Sequence, residues 1–318
     1  MKIRETAPGA KVLALGHYQP SQVVTNDDLA KTIETTDEWV QSRVGIRERR
    51  IAPAGESLED MATQAGGKAL AACGLAVGDI DLVIVATCTL EAQIPNASAV
   101  VAHRLGIDSP GAFDVNAACA GFCYALGTAD AAVRAGAARH VLVIGAEKLS
   151  QWIDWTDRST AVIFADGAGA AVVGPSETPG IGPVVWGSSG DKSDAIRIPD
   201  RNGFLHQEGQ TVFRWATTAL HPVAKLACER AGVDPSELAA FIPHQANLRI
   251  IESIARRLGA DQAVVARDIV TAGNTSAASV PLALSRMLER GEVRSGELAL
   301  ILGFGAGLTY AGQVIEIP

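Results

Sequence analysis

Aromatic side chains are scarce in this 318-residue chain, at 5%, and no apolar run approaches the length needed to span a bilayer. The N-terminal Met1-Lys2-Ile3-Arg4-Glu5 lacks the apolar segment of a signal peptide, so a cytoplasmic protein is expected. Basic charge is not in excess. The net charge of −8 argues against nonspecific nucleic-acid binding. Cysteines are few and odd in number: Cys73, Cys88, Cys119, Cys123 and Cys228 show no paired metal-type spacing, which argues against disulfides and structural zinc. No stretch matches a phosphate-cradling P-loop.

What is present points to layered α/β architecture. The hydrophobic content of 48% suffices for a large core, and 32 glycines suit close-packed layers joined by tight turns. Strand-like runs at 11–15, 82–86, 140–144, 241–243 and 298–302 alternate with helix-like stretches at 58–72, 98–105, 120–135, 212–231, 248–258 and 279–289. The order of these pieces repeats, so two structural halves are expected, 1–176 and 177–318. The boundary falls where Pro175, Pro179, Gly180 and Gly182 cluster. Each half closes on a glycine run, Asp166-Gly167-Ala168-Gly169 and Gly303-Phe304-Gly305-Ala306-Gly307. Strand-like sequence follows both, so they read as turns between strands and not as dinucleotide-binding loops. A nicotinamide or flavin cofactor is rejected on that ground.

Three polar residues stand at the ends of hydrophobic segments: Cys119 in Asn116-Ala117-Ala118-Cys119-Ala120-Gly121-Phe122, His244 in Phe241-Ile242-Pro243-His244-Gln245-Ala246-Asn247, and Asn274 in Gly273-Asn274-Thr275-Ser276. Cys119 marks a strand-to-helix junction, where the positive helix end and its free N–H groups favour a thiolate. Together the three make a candidate nucleophilic site. Read alone, each has a plainer explanation: a buried thiol, a core histidine, a helix N-cap.

The motifs Ala118-Cys119-Ala120-Gly121-Phe122, Pro243-His244-Gln245-Ala246-Asn247-Leu248-Arg249-Ile250 and Gly273-Asn274-Thr275-Ser276-Ala277-Ala278-Ser279 resemble the active-site motifs of the beta-ketoacyl-acyl-carrier-protein synthase III family. Thr36-Asp37-Glu38-Trp39, Val44-Gly45-Ile46-Arg47, Asp157-Arg158 and the last glycine run extend the likeness over essentially the whole chain. The resemblance implies a five-layered thiolase-like homodimer that condenses an acyl-CoA with malonyl-acyl-carrier protein and carries no resident cofactor. Neither nucleic acid nor membrane is a partner.

By the same resemblance, Cys119 takes the acyl group, and His244 and Asn274 donate to the malonyl thioester oxygen. The backbone N–H groups of Cys119 and Ala306 form a second oxyanion hole; many relatives have glycine at the latter position. Trp39 and Arg158 match the pair holding the adenine of CoA, Arg43 a phosphate contact, and Gln210 and Phe213 the pantetheine channel, with Gln210 replacing the usual asparagine. Arg249, Arg256 and Arg257 share one helix face suited to an acidic carrier protein. Ile94 falls where acetyl-using relatives carry a phenylalanine contributed by the neighbouring subunit. The smaller residue suggests a primer larger than acetyl. The loop at 188–206 reads as short against relatives, and Cys123 as a packing residue. The alternatives are a polyketide starter enzyme, a non-decarboxylating acyltransferase on the same acyl-cysteine, and an inactive partner subunit. Intact Cys119, His244 and Asn274 argue against the last.

Overall fold

The computed structural model describes residues 6–318 except residue 201. Residues 1–5, on which the leader expectation rests, lie outside the described part. Two five-stranded sheets carry the chain. The first comprises β1 (Gly9–Tyr18), β2 (Leu82–Ala86), β3 (Gly111–Val115), β4 (Val141–Lys148) and β5 (Asp166–Ser176), in the order β1-β5-β4-β2-β3. The second comprises β6 (Val185–Gly187), β7 (Ala240–Pro243), β8 (Val264–Val265), β9 (Leu298–Phe304) and β10 (Tyr310–Glu316), in the order β6-β10-β9-β7-β8. Strand for strand, order and direction agree: two antiparallel pairings, then two parallel ones. The segment between the sheets is pinned to both. The Gly180 N–H donates to Ala10 O at 3.0 Å, and Gly180 O accepts the Glu316 N–H at 2.8 Å.

The helices of eight residues or more are α1 (Asp37–Val44), α2 (Leu58–Cys73), α3 (Ala97–Arg104), α4 (Gly121–Arg134), α5 (Gly209–Ala231), α6 (Leu248–Leu258) and α7 (Ser279–Glu289). Local chemistry sets their ends. Ser57 and Asp60 form a capping box at the start of α2, and Gly74 ends it in the left-handed region. Asn247 caps α6, and Gly259 closes it the same way.

Outer helices α2 and α3 bury one stripe against the first sheet; α5 and α6 do so against the second. Helices α4 and α7 lie between the sheets and share one core with both, so they are apolar on most sides. The result is five layers, α/β/α/β/α.

One expectation fails here. The run Asp166-Gly167-Ala168-Gly169 is no turn; it forms the start of β5. Its glycines serve packing: a Cβ at Gly169 would stand 2.5 Å from the backbone N of Leu282 in α7. Gly145 of β4 plays the same part, since its Cβ would meet Ala277 O at 2.4 Å. These close approaches let the central helices sit hard against the sheet. The second run, 303–307, does turn between β9 and β10, as the sequence suggests.

Candidate active site

Three segments meet at one cavity of about 850 Å³. Cys119 sits in the helical turn Ala118–Ala120 immediately before α4, His244 follows the last residue of β7, and Asn274 precedes the turn that leads into α7. All three line the cavity, with Cys88, Ser276, Phe304, Gly305 and Ala306 beside them. Backbone strain concentrates here. Ala118 (φ 46°), Ser276 (φ 50°) and Leu308 (φ 44°) are left-handed without being glycine, and they adjoin or lie close to Cys119, Asn274 and Ala306. Each such residue costs on the order of 1–3 kcal/mol and persists only where its surroundings impose it. Gly305 lies directly over Cys119: its Cβ would fall 2.7 Å from Cys119 Cβ and 2.9 Å from its Sγ. No side chain fits there.

His244 is buried. Its Nδ1 is 2.7 Å from the Ser279 hydroxyl, and its ring meets Phe304 edge-on at 5.1 Å. That hydroxyl also accepts the Gln245 N–H at 3.3 Å and keeps a proton it can donate to Nδ1, the arrangement that places the ring proton on Nε2. Burial depresses the His244 pKa to about 3, so the ring is a neutral donor throughout the physiological range.

A pH consequence follows. The unfolded histidine titrates near 6.5 and the folded one near 3, so the unfolded chain binds more protons between those values. Stability supplied by His244 is intact above pH 6.5 and falls as pH drops towards 3, by at most about 1.4 kcal/mol per pH unit. Thermal melts from pH 7 to pH 4 are expected to fall more steeply for the wild type than for His244→Gln; equal slopes would refute the assignment.

Asn274 accepts the Ser276 N–H on Oδ1 at 2.8 Å, which leaves its amide N–H groups for the cavity. It does not cap α7, whose N-cap is Ala278. The thiolate expected at Cys119 is not the resting form. Enclosure in protein, with the Glu147 carboxylate nearby, pushes the thiol up to about 12, partly offset by the Ser276 hydroxyl. Part of its surface still opens to the cavity.

At the other end the cavity is lined by Trp39, Arg43 and Arg249, and Arg158 stands outside that lining, stacked on Trp39. Arg158 lies 4.6 Å from the Trp39 ring centroid and Arg43 lies 5.9 Å from it. The guanidinium of Arg158 thus occupies the indole face and donates to Glu34 O at 3.0 Å; an adenine entering between the two would displace it. Gln210 and Phe213 line the wall in the first turns of α5, and Arg249 stacks over Phe213 at 5.0 Å. Arg249, Arg256 and Arg257 line a second groove next to the mouth. The 188–206 loop sends Ile196 and Leu205 to the cavity wall. Ile94 does not reach the cavity; it is 85% exposed. Cys123 is buried in the core beneath the site.

Sequence reasoning passed over Ser279, Phe304 and above all Glu147, a fully buried carboxyl at the end of β4. A signal was there: one acid closing the apolar run Val141-Leu142-Val143-Ile144-Gly145-Ala146. Among the described residues, no helix is long and apolar enough to cross a membrane, and no cluster of His, Cys, Asp or Glu could hold a metal ion.

A cysteine at a strained turn, sharing one cavity with a neutral histidine and an asparagine between two matching sheets, fits a thiolase-like condensing enzyme. The comparisons agree. Residues 113–190 match the family description 3-Oxoacyl-[acyl-carrier-protein (ACP)] synthase III, and residues 228–317 match its C-terminal counterpart. A beta-ketoacyl-[acyl-carrier-protein] synthase III 4 of Streptomyces coelicolor is 56% identical over 313 residues, covering 98% of this chain and 99% of its own. The mycobacterial beta-ketoacyl-[acyl-carrier-protein] synthase III of Mycobacterium avium is 49% identical over 96% of this chain and 95% of its own. The crystal structure of the priming beta-ketosynthase of the R1128 polyketide biosynthetic pathway superposes with a TM-score of 0.97 at 45% identity, over 100% of this chain and 98% of that one. This chain belongs to the beta-ketoacyl-acyl-carrier-protein synthase III family and is an acyltransferase of the condensing type.

Proposed function

We propose that the protein transfers the acyl group of an acyl-CoA to Cys119 and condenses it with malonyl-acyl-carrier protein, releasing carbon dioxide and a 3-oxoacyl-carrier protein that starts a fatty-acid chain. One observation carries this reading: a single cavity joins Cys119, neutral His244 and Asn274 at its buried end to a mouth lined by Trp39, Arg43 and Arg249. Acyl-CoA is a substrate, and the chemistry needs no resident cofactor.

Cys119 Sγ attacks the thioester carbonyl, and the tetrahedral oxyanion takes the N–H groups of Cys119 and Ala306, which have no backbone acceptor among the described residues. The CoA thiolate leaves. Thiol–thioester exchange is nearly thermoneutral, so the acyl group keeps its reactivity. The malonyl thioester then replaces CoA in the same channel. Loss of carbon dioxide places an enolate charge on its thioester oxygen, to which His244 Nε2–H and Asn274 Nδ2–H donate, and the enolate carbon attacks the acylated Cys119. A donor that stays neutral is suited to decarboxylation, because it moves no proton before the charge forms.

Trp39, Arg43 and Arg158 hold the nucleotide, with Gln210 and Phe213 along the pantetheine arm. Arg249, Arg256 and Arg257 attract the acidic carrier protein, which gains mainly encounter rate and orientation. The enzyme acts as a cytoplasmic homodimer of chains divided at 176/177, and the exposed Ile94 enters the cavity of the second copy. Its modest bulk favours a branched or short-chain primer over acetyl. Priming of a polyketide is the second reading, favoured by the likeness to the R1128 priming ketosynthase; it uses the same steps.

Intact-mass measurement after separate incubation with acetyl-, isobutyryl- and hexanoyl-CoA tests the reading. One acyl adduct is expected, preferentially isobutyryl or hexanoyl. No adduct from any of the three would sink it.

A further inference from the structure

Glu147 is the most confined acid beside the reacting sulfur, and the condensation steps above do not use it. Its side chain is fully buried, yet every neighbour within hydrogen-bonding reach is a donor. Oε2 accepts the hydroxyls of Thr89 at 2.5 Å and Thr87 at 3.1 Å; the Cys88 N–H lies 3.2 Å from both oxygens. Oε1 accepts the Ser276 hydroxyl at 3.0 Å and the Cys88 thiol at 3.3 Å. Among the described residues no cation pairs with it: the Lys148 ammonium turns away to the carbonyls of Pro53 and Glu56. The titratable groups that face this carboxyl are the thiols of Cys88 and Cys119.

Ser276 is the link. Its left-handed backbone is held by Asn274, its hydroxyl lies 3.0 Å from Glu147 Oε1 and 3.8 Å from the Cys88 sulfur, and it lines the cavity together with Cys119. A hydroxyl so placed can accept from one neighbour while donating to another.

A second negative charge in this enclosed place is costly, because charges in a low-dielectric interior repel strongly. With Glu147 ionised, a Cys119 thiolate would be that second charge, in line with the raised thiol. Moving the Cys119 proton onto Glu147 instead keeps one charge in the enclave throughout. Burial also raises the Glu147 carboxyl and so makes it a better proton acceptor.

We propose that Glu147, acting through the Ser276 hydroxyl, receives the proton of Cys119 as the sulfur attacks acyl-CoA. The proposal rests on the acyl-cysteine reading above. The Cys119 S–H bond breaks and its proton passes to Ser276 Oγ, while the Ser276 proton passes to Glu147 Oε1. The Sγ–acyl bond forms, and the acyl–sulfur bond of CoA breaks. The departing CoA thiolate is neutralised by the proton held on Glu147, returned by the same hydroxyl, and the carboxylate is restored. When condensation later frees Cys119 as a thiolate, water supplies its proton, which matches the one proton the overall decarboxylation consumes. Glu147 touches no substrate; it positions Ser276 and holds the proton.

The test separates two half-reactions on the full-length protein. Single-turnover acylation by whichever acyl-CoA labels the wild type is followed by intact mass, and decarboxylation of malonyl-carrier protein by release of carbon dioxide. Glu147→Gln keeps the shape and removes the base. Ser276→Ala keeps the backbone N–H that orients Asn274 and removes the relay. Both variants are expected to slow acylation about 100-fold, with decarboxylation within about 3-fold of wild type. Acylation unchanged or faster in Ser276→Ala would overturn the relay and leave Glu147 a purely electrostatic neighbour. Both half-reactions falling together in Ser276→Ala would also overturn it, as a structural role. Should Glu147→Gln fail to fold, Ser276→Ala decides alone. A wild type without an adduct fails the acyl-cysteine reading itself, a separate result.

Discussion

Cys119→Ala is expected to take up no acyl group from any acyl-CoA and to lose condensation by at least about 10³-fold, the scale on which removal of a covalent nucleophile acts. No other residue can take its place. Cys123 lies one helical turn further along α4 but is sealed in the core, where a Cβ on Gly303 would come 3.2 Å from its sulfur. Cys88 does line the cavity, yet its thiol is engaged by Glu147, and burial beside that carboxyl holds it well above the usual thiol range. The backbone around position 119 owes nothing to the side chain: the strained Ala118, the N–H of residue 119 and the overlying Gly305 all remain. Malonyl-carrier protein decarboxylation by His244 and Asn274 is therefore expected to persist in the alanine variant. Intact mass and carbon dioxide release check the two halves. An adduct on Cys119→Ala would assign the nucleophile elsewhere.

His244→Ala and Asn274→Ala should give the complementary pattern. Each removes one of two donors to the same developing oxyanion. Loss of such a donor in a water-poor site costs about 3–4 kcal/mol, or about 10²–10³ in kcat. Acylation of Cys119 is expected to stay within a few-fold of wild type, since both donors are proposed to serve the second step. The double variant should lose less than the product of the single losses, because donors that serve one oxygen act as a unit. Ser279→Ala offers a milder probe: it frees Nδ1 and lets the ring proton move away from Nε2. Collapse of acylation in either single variant would show that His244 or Asn274 serves the first step and not the second.

The fold was legible to the degree that it rests on local pattern. Helices 248–258 and 279–289 end where the sequence suggests, because α6 has an asparagine cap, a glycine stop and a clear stripe of Ile250, Ile251, Ile254 and Leu258. The start of β5 was misread, because two glycines in four residues look like a turn. Their purpose is contact with α7, more than a hundred residues later, and no local pattern carries that. The edge strand Val264–Val265 is two residues long and leaves no periodicity to read.

The site divides in the same way. Cys119, His244 and Asn274 stand out because a polar residue at the end of an apolar segment costs free energy unless it has a task. The arginine-rich face of α6 follows from helical spacing alone. By itself, then, the sequence determined the layered class, the repeat order and the three polar residues that come to share one cavity, since all three are written in hydrophobic period and motif. Only the tertiary structure decided their chemical state. Enclosure makes His244 a neutral donor and Cys119 a resting thiol, and Glu147 comes to the nucleophile through Ser276, 129 residues away in sequence. Protonation follows from burial and from charges brought close by folding, and a linear sequence specifies neither until the sheets and helices have met.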